Sequence, residues 1–268
     1  MIEGPDRRGE KGPFDIIGDV HGCAGELETL LALLGYDVEW EGASQDRRCV
    51  TRAPAGRRAV FVGDYVDRGP RSLDTLRIVM TMIGSGQALG VLGNHDARLV
   101  RWLDGRNVQL THGLALTAEQ MQGVSVAFRQ ELKDFLHNLP FHIWLDDGQL
   151  AVAHAGIRRD MLGYSTAATR AFCLYGDTTG ERDEFGFPVR RNWAARYHGS
   201  TAIVYGHTPI VTAEWTNNTI CIDTGCCFGG QLTALRWPER ELVSVPALRV
   251  YSTPVRPLPA TLAFASAR

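Results

Sequence analysis

The chain has 268 residues, 44% of them hydrophobic and 22% charged, with a formal net charge of −2. It is long enough to bury a large core without covalent staples, and so nearly neutral that bulk attraction to nucleic acid is excluded. The six cysteines show no framework spacing, which reads as reduced thiols in a cytoplasmic protein.

No apolar run approaches the ~18 residues of a membrane span, and Met1-Ile2-Glu3-Gly4-Pro5-Asp6 lacks the apolar stretch of a secretory signal. Residues 1–13, polar and glycine-rich, are expected as a loose tail, followed by one domain over 14–251 and a Pro- and Ala-rich loose tail over 252–268. Phe14-Asp15-Ile16-Ile17 reads as a short strand that runs directly into Gly18-Asp19-Val20-His21-Gly22. Leucines at 27, 30, 31, 33 and 34 predict a helix over 26–34, stopped by Gly35. Residues 37–57 are polar and suit a strand or loop pair at an edge.

The apolar, β-branched run 58–62 predicts a buried strand, and it stops at Gly63-Asp64-Tyr65-Val66-Asp67-Arg68-Gly69-Pro70. Ser72 is placed to cap a helix reaching about Ile83, with Leu73, Leu76, Val79, Met80 and Ile83 as its buried stripe. A third strand, 88–92, ends in Gly93-Asn94-His95-Asp96, and the helix after it carries Leu99, Trp102 and Leu103. Strand, polar loop and helix thus recur three times, which implies right-handed crossovers, a largely parallel sheet and an α/β fold.

Residues 104–140 read as a helical insertion. Strands over 142–145 and 149–153 flank Asp146-Asp147-Gly148, a hairpin signal, and the second ends in His154-Ala155-Gly156. Residues 157–200 are expected as a long loop with short helices, a length that usually marks function. A strand over 202–205 ends in Gly206-His207-Thr208, another over 219–222 in Asp223-Thr224-Gly225, and 232–237 with 242–245 form a closing hairpin.

Five strands therefore end in metal-binding residue types: Asp19 and His21, Asp64, Asn94 and His95, His154, and His207. In an α/β sheet the crevice beyond the strand carboxyl ends is where ligands bind. A lone histidine at such a place is more often a structural hydrogen-bonder, and His112, His137, His142 and His198 are left in that role. Their joint occurrence beside glycines is what points to two divalent ions. Hard oxygens with a few imidazoles suit Mn²⁺, Fe²⁺ or Zn²⁺. A shared carboxylate can hold two ions about 4 Å apart with a hydroxide poised for in-line attack on phosphorus. Arg68 has the planar fork that matches phosphate. A departing alkoxide needs a proton, for which His95 is the candidate, oriented by Asp67.

These five blocks resemble the signatures of the phosphoprotein-phosphatase branch of the metallophosphoesterases. The resemblance implies a β-sandwich flanked by helices, with a binuclear site at the strand C-terminal ends. It implies Asp19, His21 and Asp64 on one ion, and Asp64, Asn94, His154 and His207 on the other. It further implies His95 paired with Asp67 as the acid and Arg68 on phosphate. Over about 14–247 a finer likeness is carried by Leu174-Tyr175-Gly176-Asp177-Thr178-Thr179-Gly180-Glu181, Val204-Tyr205-Gly206-His207-Thr208-Pro209, Asp223-Thr224-Gly225-Cys226 and Pro238-Glu239-Arg240-Glu241. It is similar both to the phosphatase module of bacterial polynucleotide kinase-phosphatases and to stand-alone asymmetrical diadenosine-tetraphosphatases. From that subgroup comes Asp223 as a residue near the site, and one more phosphate-binding arginine among Arg182, Arg190, Arg191 and Arg196.

The chain departs from the repair enzymes in one respect. Lys11 and Lys133 are its only lysines, and neither lies in a Walker motif. No attached kinase or ligase module is therefore expected, and a free-standing phosphoesterase is. The expected cofactor is two divalent ions, Mn²⁺ first, with Fe²⁺, Ni²⁺ or Zn²⁺ as alternatives. The expected substrate is a nucleotide-type phosphate such as diadenosine tetraphosphate. The alternatives are a 2′,3′-phosphatase or cyclic phosphodiesterase on nucleic-acid ends, a Ser/Thr protein phosphatase, and a non-catalytic phosphate-binding scaffold.

Overall fold

Short strands with apolar residues on both faces can only be buried between layers, and here they form two five-stranded sheets laid against each other. The structure, a computed structural model, describes residues 5–42 and 47–261. In the first sheet the order is β14 (Glu241–Pro246), β13 (Gln231–Trp237), β1 (Phe14–Ile17), β4 (Arg58–Phe61) and β5 (Ala88–Gly90). In the second it is β11 (Trp215–Thr216), β12 (Thr219–Cys221), β10 (Ala202–Tyr205), β7 (Leu150–Ala153) and β6 (His142–Leu145). The β1/β4/β5 and β7/β10/β12 pairings are parallel, and β14 and β6 are added at the edges as antiparallel hairpin partners of β13 and β7.

Alternation along each strand divides the side chains between two layers. Phe14, Ile16, Val60, Val62, Leu89 and Val91 of the first sheet meet Leu150, Val152, Ala202, Val204, Ile220 and Ile222 of the second. The intervening Ile17, Ala59 and Phe61 turn outward onto α1 (Ala24–Leu33) and α2 (Ser72–Gly84), where Leu27, Leu30, Leu31, Leu76 and Val79 cover them. On the far side Ala151, Ala153, Ile203 and Tyr205 are covered by Trp193 and by Phe172 and Cys173 of α6 (Ala167–Tyr175). Each large apolar side chain so buried contributes about 1.5–3 kcal/mol.

α3 (Asn94–Leu103) follows β5, and the expected insertion contains α4 (Leu114–Gln120) and α5 (Val126–Asn138). Residues 37–57 supply a separate hairpin of β2 (Asp37–Glu41) and β3 (Arg48–Arg52). Within 157–200, expected as loop with short helices, there is also a hairpin of β8 (Thr178–Arg182) and β9 (Pro188–Arg190), polar and half-exposed and so without an apolar signal. Leu33, one of the leucines whose spacing predicts α1, is 64% exposed. On α2 it is Ile78 and Met82 that are fully buried beside Leu76 and Val79, while Met80 and Ile83 are only partly covered. Ser72 does not cap α2: its side chain makes no cap bond, and its Oγ instead accepts from Asp67 N at 3.2 Å.

The described parts of both expected tails are held. Trp144 N donates to Pro5 O at 2.8 Å, Arg7 N to Trp144 O at 2.9 Å and Asp146 N to Glu10 O at 3.0 Å, so residues 5–10 satisfy the open edge of β6. Val211 N and Thr212 N donate to Pro259 O and Ala260 O at 2.9 and 3.0 Å. Residues 1–4 and 262–268 of the expected tails lie outside the described residues. Among the described residues no helix is long and apolar enough to cross a membrane.

His142, at the start of β6, is a structural histidine with a consequence for stability. It is buried, its Nε2 accepts from Gly163 N at 3.1 Å, and burial alone lowers its pKa to about 4. The folded state thus binds this proton less readily than the unfolded chain does. The contribution is complete above the unfolded value near 6.5 and is lost as pH falls from there to about 4. The full loss is about 3 kcal/mol. In urea melts between pH 7 and 4, His142→Gln is expected to show a correspondingly shallower loss of stability than the parent.

Candidate metal centre and phosphate site

Each proposed metal ligand, with Asp67, Arg68, His95 and Asp223, lies past the carboxyl end of a strand in one of the two five-stranded sheets. Asp19 and His21 follow β1; Asp64, Asp67 and Arg68 follow β4; Asn94 and His95 open α3 beyond β5. His154 follows β7, His207 follows β10 and Asp223 follows β12. The parallel strands bring these ends together across the chain, as in the bond between residues 188 apart, from His207 N to Asp19 Oδ2 at 3.0 Å.

The loops reach this geometry at a local cost. His21, Asp64, Asp67, Arg68 and His207 have positive φ, 47, 52, 73, 67 and 73°. Non-glycine residues pay roughly 1–3 kcal/mol each when held in sparsely populated regions, and such strain gathers at functional sites. Two glycines permit the close approach: a Cβ on Gly206 would overlap Asp19 Oδ1, and one on Gly93 would overlap Asp64 N and Oδ1. Asp96, to which the sequence reading gave no role, holds the β4 loop. Its carboxylate accepts from Asp64 N at 2.7 Å, Tyr65 N at 2.9 Å and Gly93 N at 3.0 Å.

Asp64 stands between two groups of donors. Its Oδ2 is 3.5 Å from His21 Nε2, and its Oδ1 is 3.5 Å from His154 Nε2. His154 Nε2 is in turn 2.9 Å from Asn94 Oδ1 and 3.1 Å from His207 Nδ1. Tautomers are fixed by the other ring nitrogens: His21 Nδ1 bonds Val66 O at 2.9 Å and His154 Nδ1 bonds Val62 O at 3.1 Å. A carbonyl only accepts, so both Nδ1 atoms carry hydrogen and both Nε2 lone pairs face the centre. The Nε2 of His154 therefore meets Asn94 Oδ1 and Asp64 Oδ1, acceptor against acceptor. Asp19 Oδ1 is buried with no hydrogen-bond partner. A bare carboxylate oxygen and an imidazole lone pair turned toward two further oxygens are what a cation would satisfy, and the residues fit divalent metal. Asp64, His154 and His207 form one triad of donor atoms within 4.8 Å, and His21, Asp64 and His95 form another.

Electrostatics agree. Burial, then the charge of Asp223, raises Asp19 well above the carboxylate range; burial, then Asp96, does the same to Asp64. Burial holds His154 down at about 3, and burial followed by Arg68 keeps His21 and His95 well below the imidazole value. The imidazoles are neutral and the carboxylates are crowded, and a bound divalent cation reverses the second penalty.

His95 and Asp67 are joined by a 2.6 Å bond from Nδ1 to Oδ2. The other Asp67 oxygen accepts from Thr117 Oγ1 at 2.7 Å, and burial raises the carboxyl to about 6. Thr117, on α4, is a contact that nothing local in the sequence announces. Arg68 directs its fork at the Nε2 atoms of both His21 and His95, at 3.0 and 3.2 Å, and stacks 4.8 Å from the Phe228 ring. Asp223 is buried beside this group, bonded to Gly225 N at 3.1 Å and raised to about 6, chiefly by burial.

Of the four arginines left open, Arg190 reaches the centre. Its guanidinium is 2.7 Å from His207 Nε2 and is fixed by Tyr175 O at 3.0 Å. Arg182 bonds Gly186 O at 2.5 Å, Arg191 pairs with Asp177 at 3.2 Å, and Arg196 is exposed. An arginine only donates, so His207 carries its hydrogen on Nδ1 in this arrangement. Ligation through Nδ1 requires the other tautomer and releases Arg190.

Comparison with known proteins extends this picture. The model of the calcineurin-like phosphoesterase family matches residues 12–211. A protein of Anoxybacillus flavithermus (strain DSM 21510 / WK1), the asymmetrical bis(5′-nucleosyl)-tetraphosphatase PrpE, is 47% identical over 89% of this chain and 96% of its own. The protein of that name from Bacillus subtilis (strain 168) is 42% identical over the same shares. Among solved structures, that of a candidate diadenosine tetraphosphatase superposes with a TM-score of 0.62 at 24% identity, covering 90% of this chain and 96% of that one.

Proposed function

The chain belongs to the calcineurin-like phosphoesterase family, enzymes that hydrolyse phosphate esters or anhydrides, and from that premise we propose that it is a diadenosine-tetraphosphatase-like hydrolase of nucleotide-type phosphates. The observation that carries the reading is Asp64, its two oxygens divided between donor groups, with Arg68 and Arg190 converging on the same centre from different loops. The shared core of both sheets supports treating 14–251 as one domain. Six free cysteines support a reducing, cytoplasmic setting.

In this reading Asp19, His21 and Asp64 hold one divalent ion, and Asp64, Asn94, His154 and His207 hold the other. Mn²⁺ is the ion proposed for a set of hard oxygens and imidazoles. When bound, the pair supplies Lewis acidity toward phosphoryl oxygen and lowers the pKa of a coordinated water. Arg68 and Arg190 bind the phosphoryl oxygens and orient them for in-line displacement. Burial, and after it the Arg68 charge, holds His95 neutral; an anionic substrate offsets that charge, and Asp67 stabilises the imidazolium. His95 Nε2 then passes its proton to the departing oxygen. Asp223, beside Asp19 and Arg68, bounds the space next to the attacked phosphate.

Thr117 is a positioning residue in this scheme. With one Asp67 oxygen held by Thr117, the other is aimed at His95. Thr117→Val is expected to lower kcat about 10-fold, about 1.4 kcal/mol, on alkyl phosphates, with KM and metal content unchanged. Steady-state kinetics with metal analysis check this; a change in KM alone would remove Thr117 from the acid relay.

The substrate class is tested by product analysis with purified protein and Mn²⁺. Diadenosine tetraphosphate, an RNA ending in a 2′,3′-cyclic phosphate, and a phosphopeptide are offered side by side. Preferred release of ATP and AMP from the dinucleotide is expected. Preference for the RNA end or the phosphopeptide overturns the substrate assignment, and inactivity toward all three and p-nitrophenyl phosphate overturns the enzyme.

A further inference from the structure

Three cysteines converge beside the metal centre without entering it. Cys227 Sγ is 4.0 Å from an Arg68 nitrogen. Cys23 precedes α1, Glu26 lies in the first turn of α1, and Cys226 opens the short helical turn Cys226–Phe228. One ligand atom each from Cys23, Glu26 and Cys226 lies within 4.8 Å of the others, and all three residues are 1–2% exposed. The Cys23 thiol donates to His21 O at 3.7 Å.

The glutamate supplies an independent observation. Its Oε1 accepts two bonds, from Leu248 N at 2.9 Å and Tyr251 Oη at 2.8 Å. Its Oε2 is buried and has no partner. A buried carboxylate oxygen left bare is expensive, and here the other donor atoms beside this carboxylate are the two thiols.

We propose that Cys23, Cys226 and Glu26 form a metal site separate from the catalytic pair and selective for a soft divalent ion of the Zn²⁺ or Cd²⁺ class. Thiolate ligands select such ions, whereas the catalytic set contains no sulfur. Tetrahedral Zn–S bonds of about 2.3 Å place two sulfurs within about 4 Å of each other, so only a small adjustment is needed. On binding, each thiol gives its proton to solvent and forms a bond to the ion. Two protons are exchanged for one divalent ion, so the buried cluster carries the same net charge before and after. Three protein donors leave a fourth position for solvent.

The site joins three parts of the fold. Cys23 is two residues past His21, Cys226 is three past Asp223, and the C-terminal segment is bonded to Glu26 through Leu248 N and Tyr251 Oη and to Cys227 O through Tyr251 N and Ser252 N, at 3.0 and 2.9 Å. Occupancy is therefore expected to tie the C-terminal segment to the loops that carry the centre.

The test uses the full chain, reduced and saturated with Mn²⁺, titrated with Cd²⁺ while the ultraviolet thiolate-to-Cd²⁺ charge-transfer band is followed. A band saturating at one Cd²⁺ per chain is expected. Cys23→Ser and Cys226→Ser are each expected to lose at least about 10-fold in affinity, whereas Cys49→Ser is expected to keep it. Absence of a saturable band, or an unchanged band in both serine variants, overturns the proposal. Mn²⁺-dependent turnover of p-nitrophenyl phosphate within about twofold of the parent shows that each variant is folded. Should the serine variants fail to fold, Glu26→Gln decides: weaker Cd²⁺ binding supports the site, and unchanged affinity overturns it.

Discussion

Replacement of Asp64 by asparagine or alanine is expected to cost the protein both metal ions and to lower turnover by about 10⁴-fold or more, about 5.5 kcal/mol or more of transition-state stabilisation. The size follows from position. Among the described residues, Asp64 is the one side chain with an oxygen 3.5 Å from His21 Nε2 and another 3.5 Å from His154 Nε2. Removing any other proposed ligand takes a donor from one ion, whereas removing this one takes charge from both. The two variants separate charge from scaffold. Asparagine keeps an oxygen for His95 N, which Asp64 Oδ1 now accepts at 2.9 Å; alanine leaves that amide unpaired. Both should be inactive, and elemental analysis should find little Mn²⁺ in either.

The same substitution has the opposite sign on the stability of metal-free protein. Burial and the nearby Asp96 raise the Asp64 pKa, so at neutral pH the ionised carboxylate is held at a cost until a cation arrives. Metal-free Asp64→Asn should therefore melt at or above metal-free parent protein, while added Mn²⁺ should stabilise only the parent. An Asp64→Asn protein that retained two ions and full turnover would remove the binuclear reading.

Most of the centre is legible in the sequence because each proposed ligand sits at the end of an apolar run. A buried strand reads clearly, and the polar residues just beyond it must emerge at the sheet's carboxyl edge. Asp19, Asp64, Asn94, His154 and His207 are all of this kind. What escapes are partners supplied from elsewhere in the fold. Thr117 reaches Asp67 from a helix 50 residues away. Asp96 shares a motif with His95, but its task of gathering three amides depends on the loop's folded path. Arg190 lies on a polar hairpin, and four arginines between 182 and 196 are equivalent until the hairpin's position is known. Capping failed at Ser72 because tertiary structure offered its hydroxyl another partner, the Asp67 amide. The segments that read as loose tails are held by partners that only the assembled fold provides: the unpaired edge of β6 takes residues 5–10, and the amides of Val211 and Thr212 take Pro259 and Ala260.

His95→Ala should keep both metals and lose turnover in proportion to the basicity of the leaving group. The metals should stay because the link from His95 to Asp64 runs through the backbone amide, which the substitution leaves in place. Turnover should fall because Nε2, facing the centre 3.2 Å from Arg68, is the proposed proton source. General acid catalysis contributes typically 10²–10⁴-fold, and it matters most when the departing oxygen is a strong base. Alkyl phosphates should therefore lose about 10³-fold. p-Nitrophenyl phosphate and the phosphoanhydride of a dinucleotide should lose far less, since their leaving groups depart as weak bases. A plot of log kcat against leaving-group pKa should be steeper for the variant than for the parent. Parallel plots would mean that His95 acts only by holding Asp67 and Arg68 in place, and loss of Mn²⁺ would make it a ligand instead. The 2.6 Å bond to Asp67 favours the acid: it fixes hydrogen on Nδ1, leaves Nε2 toward the substrate, and places a carboxylate where the imidazolium charge will form.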